Sequence, residues 1–201
     1  MRKCWIILFV AVLGTPQSPG QRLTSCVKYF PDSSLDLRQD HFKCDWYSIQ
    51  LDALQEPSLY RLAKTPSAES YRFLWLRSFN NPIAVRLDHK RNGTCVLTTK
   101  VASGAGGFHP GVLTENRSRL LTREETVAFL SKVTEVGFWN APNPVNDQRG
   151  TDGSQWIIEG VKGSHYHVVD RWSPANGVAR ELGLLLAFDL AKIAMPKNDI
   201  Y

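Results

Sequence analysis

The chain has 201 residues and a formal net charge of +5 at pH 7, with 43% hydrophobic and 21% charged residues. That length suits one domain with a full core, and that composition excludes wholesale disorder. The Lys and Arg residues form no long run, so the electrostatic footprint of a nucleic-acid binder is absent and no nucleic acid is expected as a partner.

Residues 1–20 read as a targeting segment. Arg2-Lys3, the apolar run Cys4–Leu13 and the small, turn-rich stretch Gly14–Gly20 make the three parts of a secretory signal peptide. As a helix the apolar run would span about 15 Å, half of a bilayer core, so no stable membrane span is expected after cleavage before Gln21. The expected organisation is a signal peptide over 1–20, an irregular lead-in over 21–45 and one domain over 46–201, in an exported protein that is periplasmic or secreted. The mature chain keeps Cys26, Cys44 and Cys95. Export implies an oxidising compartment, and Cys26–Cys44 is the expected bridge, closing a loop that contributes roughly 3 kcal/mol in the chain-entropy model. Cys95 alternates with Leu97 and reads as a buried thiol.

Residues 46–65 have helical spacing, with a break at Pro57. Tyr71-Arg-Phe-Leu-Trp-Leu76 is apolar on both faces and predicts a central strand covered on both sides. Residues 82–88 alternate as a half-buried strand. His89-Lys-Arg-Asn-Gly93 supplies a hairpin turn back into Thr94–Val101. Ser103-Gly-Ala-Gly-Gly107 reads as a mobile loop, because it lacks the Lys-Ser/Thr and the following helix of a nucleotide-binding loop. A further strand is expected over 112–120. Thr122 and Glu125 form a capping box for a helix with the apolar stripe Val127, Leu130, Val133 and Val136, closed by Gly137 at C′. Residues 152–174 read as two strands joined by a Gly-containing turn, and a last, largely buried helix runs over 175–194. Hairpins followed by helices indicate an α+β fold, an antiparallel sheet with helices packed on one face.

The strand His165–Trp172 carries the densest chemistry. Side chains alternate, so His165 and His167 share a face and can meet one metal, with His109 or Glu159 as a third ligand. Glu159, on the neighbouring strand, is a candidate general base beside His167 or Asp170. The same residues also suit a solvated strand face and a surface ion pair. Ser58, Ser103 and Ser154 sit in no nucleophile elbow. No cofactor is required by any motif.

Glu56-Pro-Ser-Leu59, Tyr71 through Phe79 with Pro82, the glycine run 103–107 and Asp152-Gly153 through Asp170-Arg-Trp-Ser-Pro174 together make residues 46–193 resemble a group of exported bacterial proteins of unknown function. The resemblance implies export and one domain, with no activity attached. Two functions follow as expectations. One is a non-enzymatic module that binds a protein or an envelope component, favoured by an exposed face carrying Arg77, Arg86 or Arg171 beside aromatics. The other is a small periplasmic hydrolase or metal-dependent enzyme using His165, His167 and Glu159.

Overall fold

The computed structural model describes residues 28–32, 34–35, 40–143, 150 and 152–201. Residues 1–20 and Cys26 lie outside them, as does most of the 140–150 loop. The strands are β1 (Glu69–Arg77), β2 (Ile83–His89), β3 (Cys95–Ala102), β4 (Leu113–Leu120), β5 (Ser154–Lys162) and β6 (His165–Trp172). They form one antiparallel sheet in the order β4-β3-β2-β1-β5-β6. Short turns explain the neighbours: Asn92-Gly93 closes β2–β3 with Gly93 at φ 81°, and Gly163 turns β5 into β6 at φ 59°. The long excursion between β4 and β5 brings β5 to the free side of β1, which is therefore buried along nearly its whole length.

The α+β class is the expected one. Two helices pack on one face: α3 (Arg123–Glu135) and α4 (Val178–Leu184), the latter continuing as a π-helical turn, Leu185–Leu190. Phe129, Val133, Leu182 and Leu186 meet Tyr71, Phe73, Trp75 and Trp156 there. Helices were expected on one face only, yet the other face is covered as well. Helix α1 (Asp40–Ala53) and the turn after it set Tyr47, Leu51 and Leu54 against Leu74, Leu76, Ile157 and Val168. The short α2 (Leu59–Leu62) follows, and Ser58 Oγ caps it by accepting from Arg61 N–H.

Four further expectations change. The lead-in is part of the fold: Tyr29, Phe30 and Leu35 are buried beside α1, and α1 begins at Asp40. Their apolar area has no periodic pattern to announce it, because irregular backbone carries it. On α3 the buried stripe is Thr126, Phe129 and Val133, whereas Val127 is exposed. The helix turns its larger aromatic, Phe129, inward onto Tyr71. The last helix is interrupted, with Ala191 N–H reaching back five residues to Leu186 O. The glycine run is packed: a Cβ on Gly106 would lie 2.7 Å from the β1 backbone, and Trp46 Nε1 and Gln50 Nε2 both donate to Gly106 O.

Cys95 is free and buried. Cys44 is buried and disulfide-bonded; its expected partner, Cys26, lies outside the described residues.

Candidate functional site

Strand β6 holds His165 and His167 on the α3 face, as alternation requires. The turn Phe138–Asn140 after α3 lies on them. Trp139 stacks on His165 at 4.9 Å between ring centroids, and Phe138 meets His167 edge-on at 5.1 Å. Gly160 on β5 leaves room for these rings, since a Cβ there would lie 3.0 Å from Phe138 Cζ. Burial pushes the His167 imidazole below its usual pKa, and the charges of His165 and Arg171 act the same way, against a hydrogen bond with the Ala141 main chain. His167 Nε2 is buried with no hydrogen-bond partner among the described residues. The two imidazoles are thus wedged into an aromatic stack.

The third candidate points elsewhere. Glu159 pairs in register with Arg72 on β1 and with Val168 on β6, so its side chain lies on the α1 face. It accepts from Arg72 Nε at 2.9 Å and again from Arg72 Nη2, and its other oxygen accepts from Tyr166 Oη at 2.8 Å. His109 sits in the β3–β4 loop, at the opposite end of the sheet, where its Nδ1 accepts from Gly111 N–H. His165, His167, Glu159 and His109 therefore do not converge, and among the described residues no group of three potential metal ligands exists. The serines are equally committed: Ser103 Oγ accepts from Val112 N–H, and Ser154 Oγ accepts from Trp156 Nε1.

Glu159 belongs to a charge layer that spans four strands. Arg72 and Glu159 are both fully buried. Glu56, in the α1–α2 connection, accepts from Arg72 Nη1 at 3.4 Å and Arg86 Nη1 at 2.8 Å, and its other oxygen lies 3.1 Å from Lys100 Nζ. Arg86 also bonds Asp88. Burial alone would raise the Glu56 pKa; the Arg72, Arg86 and Lys100 charges overcome it and hold the carboxyl below its usual value. A second buried pair, Lys43–Asp170 at 2.7 Å, joins α1 to β6. These charges are matched and enclosed, which suits a scaffold more than a reaction.

The strand arginines are likewise satisfied within the chain or enclosed. Arg171 donates to Pro142 O and Asp170 O, Arg86 is in the charge layer, and Arg77 is 4% exposed. Among the described residues these arginines form no exposed face beside aromatics, which counts against an interaction surface built on them. Among the apolar groups that reach solvent are Phe42, Phe79 and Phe108, at 66%, 64% and 65% exposure; the aliphatic Ile49, Val112, Leu120 and Val127 are exposed as well. Phe79 stacks on Phe108 at 6.0 Å, and Phe42 lies 5.8 Å from Trp46. The Trp46–Gly106 hydrogen bond ties the second pair to the loop that carries the first. The result is one aromatic rim at the end of the sheet where β1 ends.

The opposite end carries an open cleft of about 240 Å³ lined by Ser67, Glu69, His89, Lys90 and Arg91. His89 Nδ1 is 2.8 Å from Glu69 Oε2, and Tyr71 Oη donates to Glu69 Oε1 at 3.1 Å. Burial would raise the Glu69 pKa, yet the His89 hydrogen bond and the Lys162 charge keep it low. In the sequence His89 signals only the start of a turn; the pairing Glu69↔His89 across β1 and β2 makes the dyad. No protein-family model matches this chain, and no curated protein is similar to it.

Proposed function

We propose that this domain is a non-enzymatic interaction module that docks a protein or envelope component through the aromatic rim Phe42, Trp46, Phe79 and Phe108. One observation carries the reading: three phenylalanines, each about two-thirds exposed, lie in two ring pairs bridged by a hydrogen-bonded loop. Exposed aromatics grouped on a rigid support are the anchors of interfaces and cost solubility when left bare. The glycine run supplies that support, because its packing under α1 fixes where Phe108 stands. The proposal includes export, on the strength of Arg2-Lys3 before the apolar run and of a disulfide-bonded Cys44, which suits an oxidising compartment.

The test is site-specific photocrosslinking in the intact source cell, with the photoreactive residue at Phe108, at Phe42 and, as a control, at the exposed Arg123 of α3. A discrete crosslinked species from positions 108 and 42, absent at 123 and lost on adding Phe79→Ser, is the expected outcome. Equal labelling from all three positions overturns the proposal.

A further inference from the structure

The cleft at the end of the sheet away from the aromatic rim holds two cations that the fold leaves unpaired. Ser67, Glu69, His89, Lys90 and Arg91 line both its larger lobe and an adjoining lobe of about 190 Å³ beside Gly93. The carboxylates there are matched. Glu69 is met by His89, Tyr71 and Lys162, and Asp88 by Ser70 Oγ and the Arg86 guanidinium. Lys90 and Arg91 stand on the exposed β2–β3 turn, and neither has a carboxylate in ion-pair range among the described residues. Unpaired cations on a turn are ordinary; what sets these two apart is the fixed chemistry beside them.

Two groups are oriented toward a ligand. Arg91 Nε donates to Ser67 Oγ at 2.7 Å, which holds the guanidinium by one edge and leaves both Nη groups without a partner among the described residues. The Ser67 hydroxyl keeps its own proton to donate. His89 Nδ1 lies 2.8 Å from Glu69 Oε2. Burial acts against the charge on Glu69, yet the His89 hydrogen bond and Lys162 keep it a carboxylate. Glu69 therefore accepts, His89 Nδ1 carries the proton, and Nε2 is the ring atom left over. The larger lobe is closed on its remaining side by Leu62 and Ala68.

We propose that Lys90, Arg91, His89 and Ser67 form a binding site for a terminal phosphate group, free or carried on a small soluble ester, with Glu69 as the positioning residue for His89. A phosphate group matches the two unpaired cations in charge. Its oxygens suit the guanidinium fork of Arg91, and Lys90 adds a point charge. His89 Nε2 meets such a ligand in either protonation state: as imidazolium it donates to an oxygen, and as imidazole it accepts from the O–H of a hydrogenphosphate. A carboxylate brings one charge and would leave one cation unmatched. The apolar side chains of Leu62 and Ala68 suit the carbon skeleton of an ester. The site stands apart from the aromatic rim and does not depend on it.

The experiment follows the His89 ring signals by NMR in the full chain, assigned by their loss in His89→Gln, at constant pH and ionic strength. The probes are inorganic phosphate, glycerol 3-phosphate and, as a control, glycerol. Both phosphates are expected to shift the signals saturably, and glycerol is not. Tighter binding of the ester identifies an ester as the ligand, and equal binding identifies free phosphate. Lys90→Ala and Arg91→Ala, both on the exposed turn, are each expected to weaken binding by about tenfold. Lys162→Ala removes an exposed cation that does not line the cleft, and is expected to leave the affinity nearly unchanged. Glu69→Gln removes a negative charge, so general attraction would rise; positioning of His89 predicts weaker binding instead. No saturable shift, equal weakening by Lys90→Ala and Lys162→Ala, or tighter binding in Glu69→Gln overturns the proposal.

Discussion

On one face of the sheet Phe73, Trp75 and Trp156 meet ring to ring at 5.0–5.8 Å between centroids, whereas on the other Arg72, Glu159, Glu56, Arg86 and Lys100 fill the same depth with charge. The covering elements explain the difference. Helices α3 and α4 satisfy their own backbone and present side chains only, so an apolar surface suits them; α4 even crosses close enough for a Cβ on Gly183 to lie 2.6 Å from Trp156. Part of the α1 face is covered by the loop after α1. A loop brings carbonyl groups into the interior, and these need donors. Lys100 Nζ donates to Gln55 O at 2.6 Å and Arg72 Nη1 to Pro57 O at 2.7 Å. The cations therefore serve buried main chain, and the carboxylates balance the cations.

The comparison is broken most severely by removing one charge. Arg72→Met would leave Glu159 without its main partner and is expected to destabilise the fold by about 3–5 kcal/mol. The double variant Arg72→Met/Glu159→Leu is expected to recover most of that loss, since Glu56 keeps Arg86 and Lys100. Urea denaturation of the two variants decides the matter: equal midpoints would mean that the layer acts as ordinary polar packing.

Acid separates the faces next. The Glu56 carboxyl lies below its reference value of 4.5 in the fold. Its contribution is therefore fully present above about pH 4.5 and is lost as pH falls through the lower folded value. On the aromatic face His167 is a group with a shifted pKa in the neutral range. Its folded pKa is below the reference 6.5, so the unfolded chain binds the extra proton first and stability declines as pH falls below about 6.5. Thermal midpoints from pH 8 down to about pH 2.5 should show both phases. His167→Gln should flatten the upper one alone, and a persistent upper phase in that variant would assign it elsewhere.

The smallest expected effect lies in the cover of the aromatic face. Thr122 Oγ1 accepts from Glu125 N–H at 3.1 Å, and Glu125 Oε2 accepts from Thr122 N–H at 2.9 Å. Thr122→Ala should cost about 1 kcal/mol in urea denaturation, and an unchanged midpoint would show that the capping box does not hold the start of α3.

The order and type of the elements were legible in the chain because their causes are local. Alternation marks β2 and β3, Asn92-Gly93 and Gly163 turn the hairpins, and Thr122 with Glu125 starts α3. Doubly apolar Tyr71–Leu76 correctly marked a strand buried on both sides, although the helix on its second face begins earlier than its periodicity suggests. The histidine pair on one face of β6 also followed from period two. What the chain could not show are encounters between residues far apart in sequence. Glu159 on β5 looked available to the histidines of β6, yet one position of strand register turns it to the opposite face and onto Arg72. Glu56 meets Lys100, and Arg77 meets Met195, only because the sheet brings them to one depth. Local propensity reads the pleat and the cap; burial and pairing of charge are set by what covers each face, and that is decided by the tertiary structure.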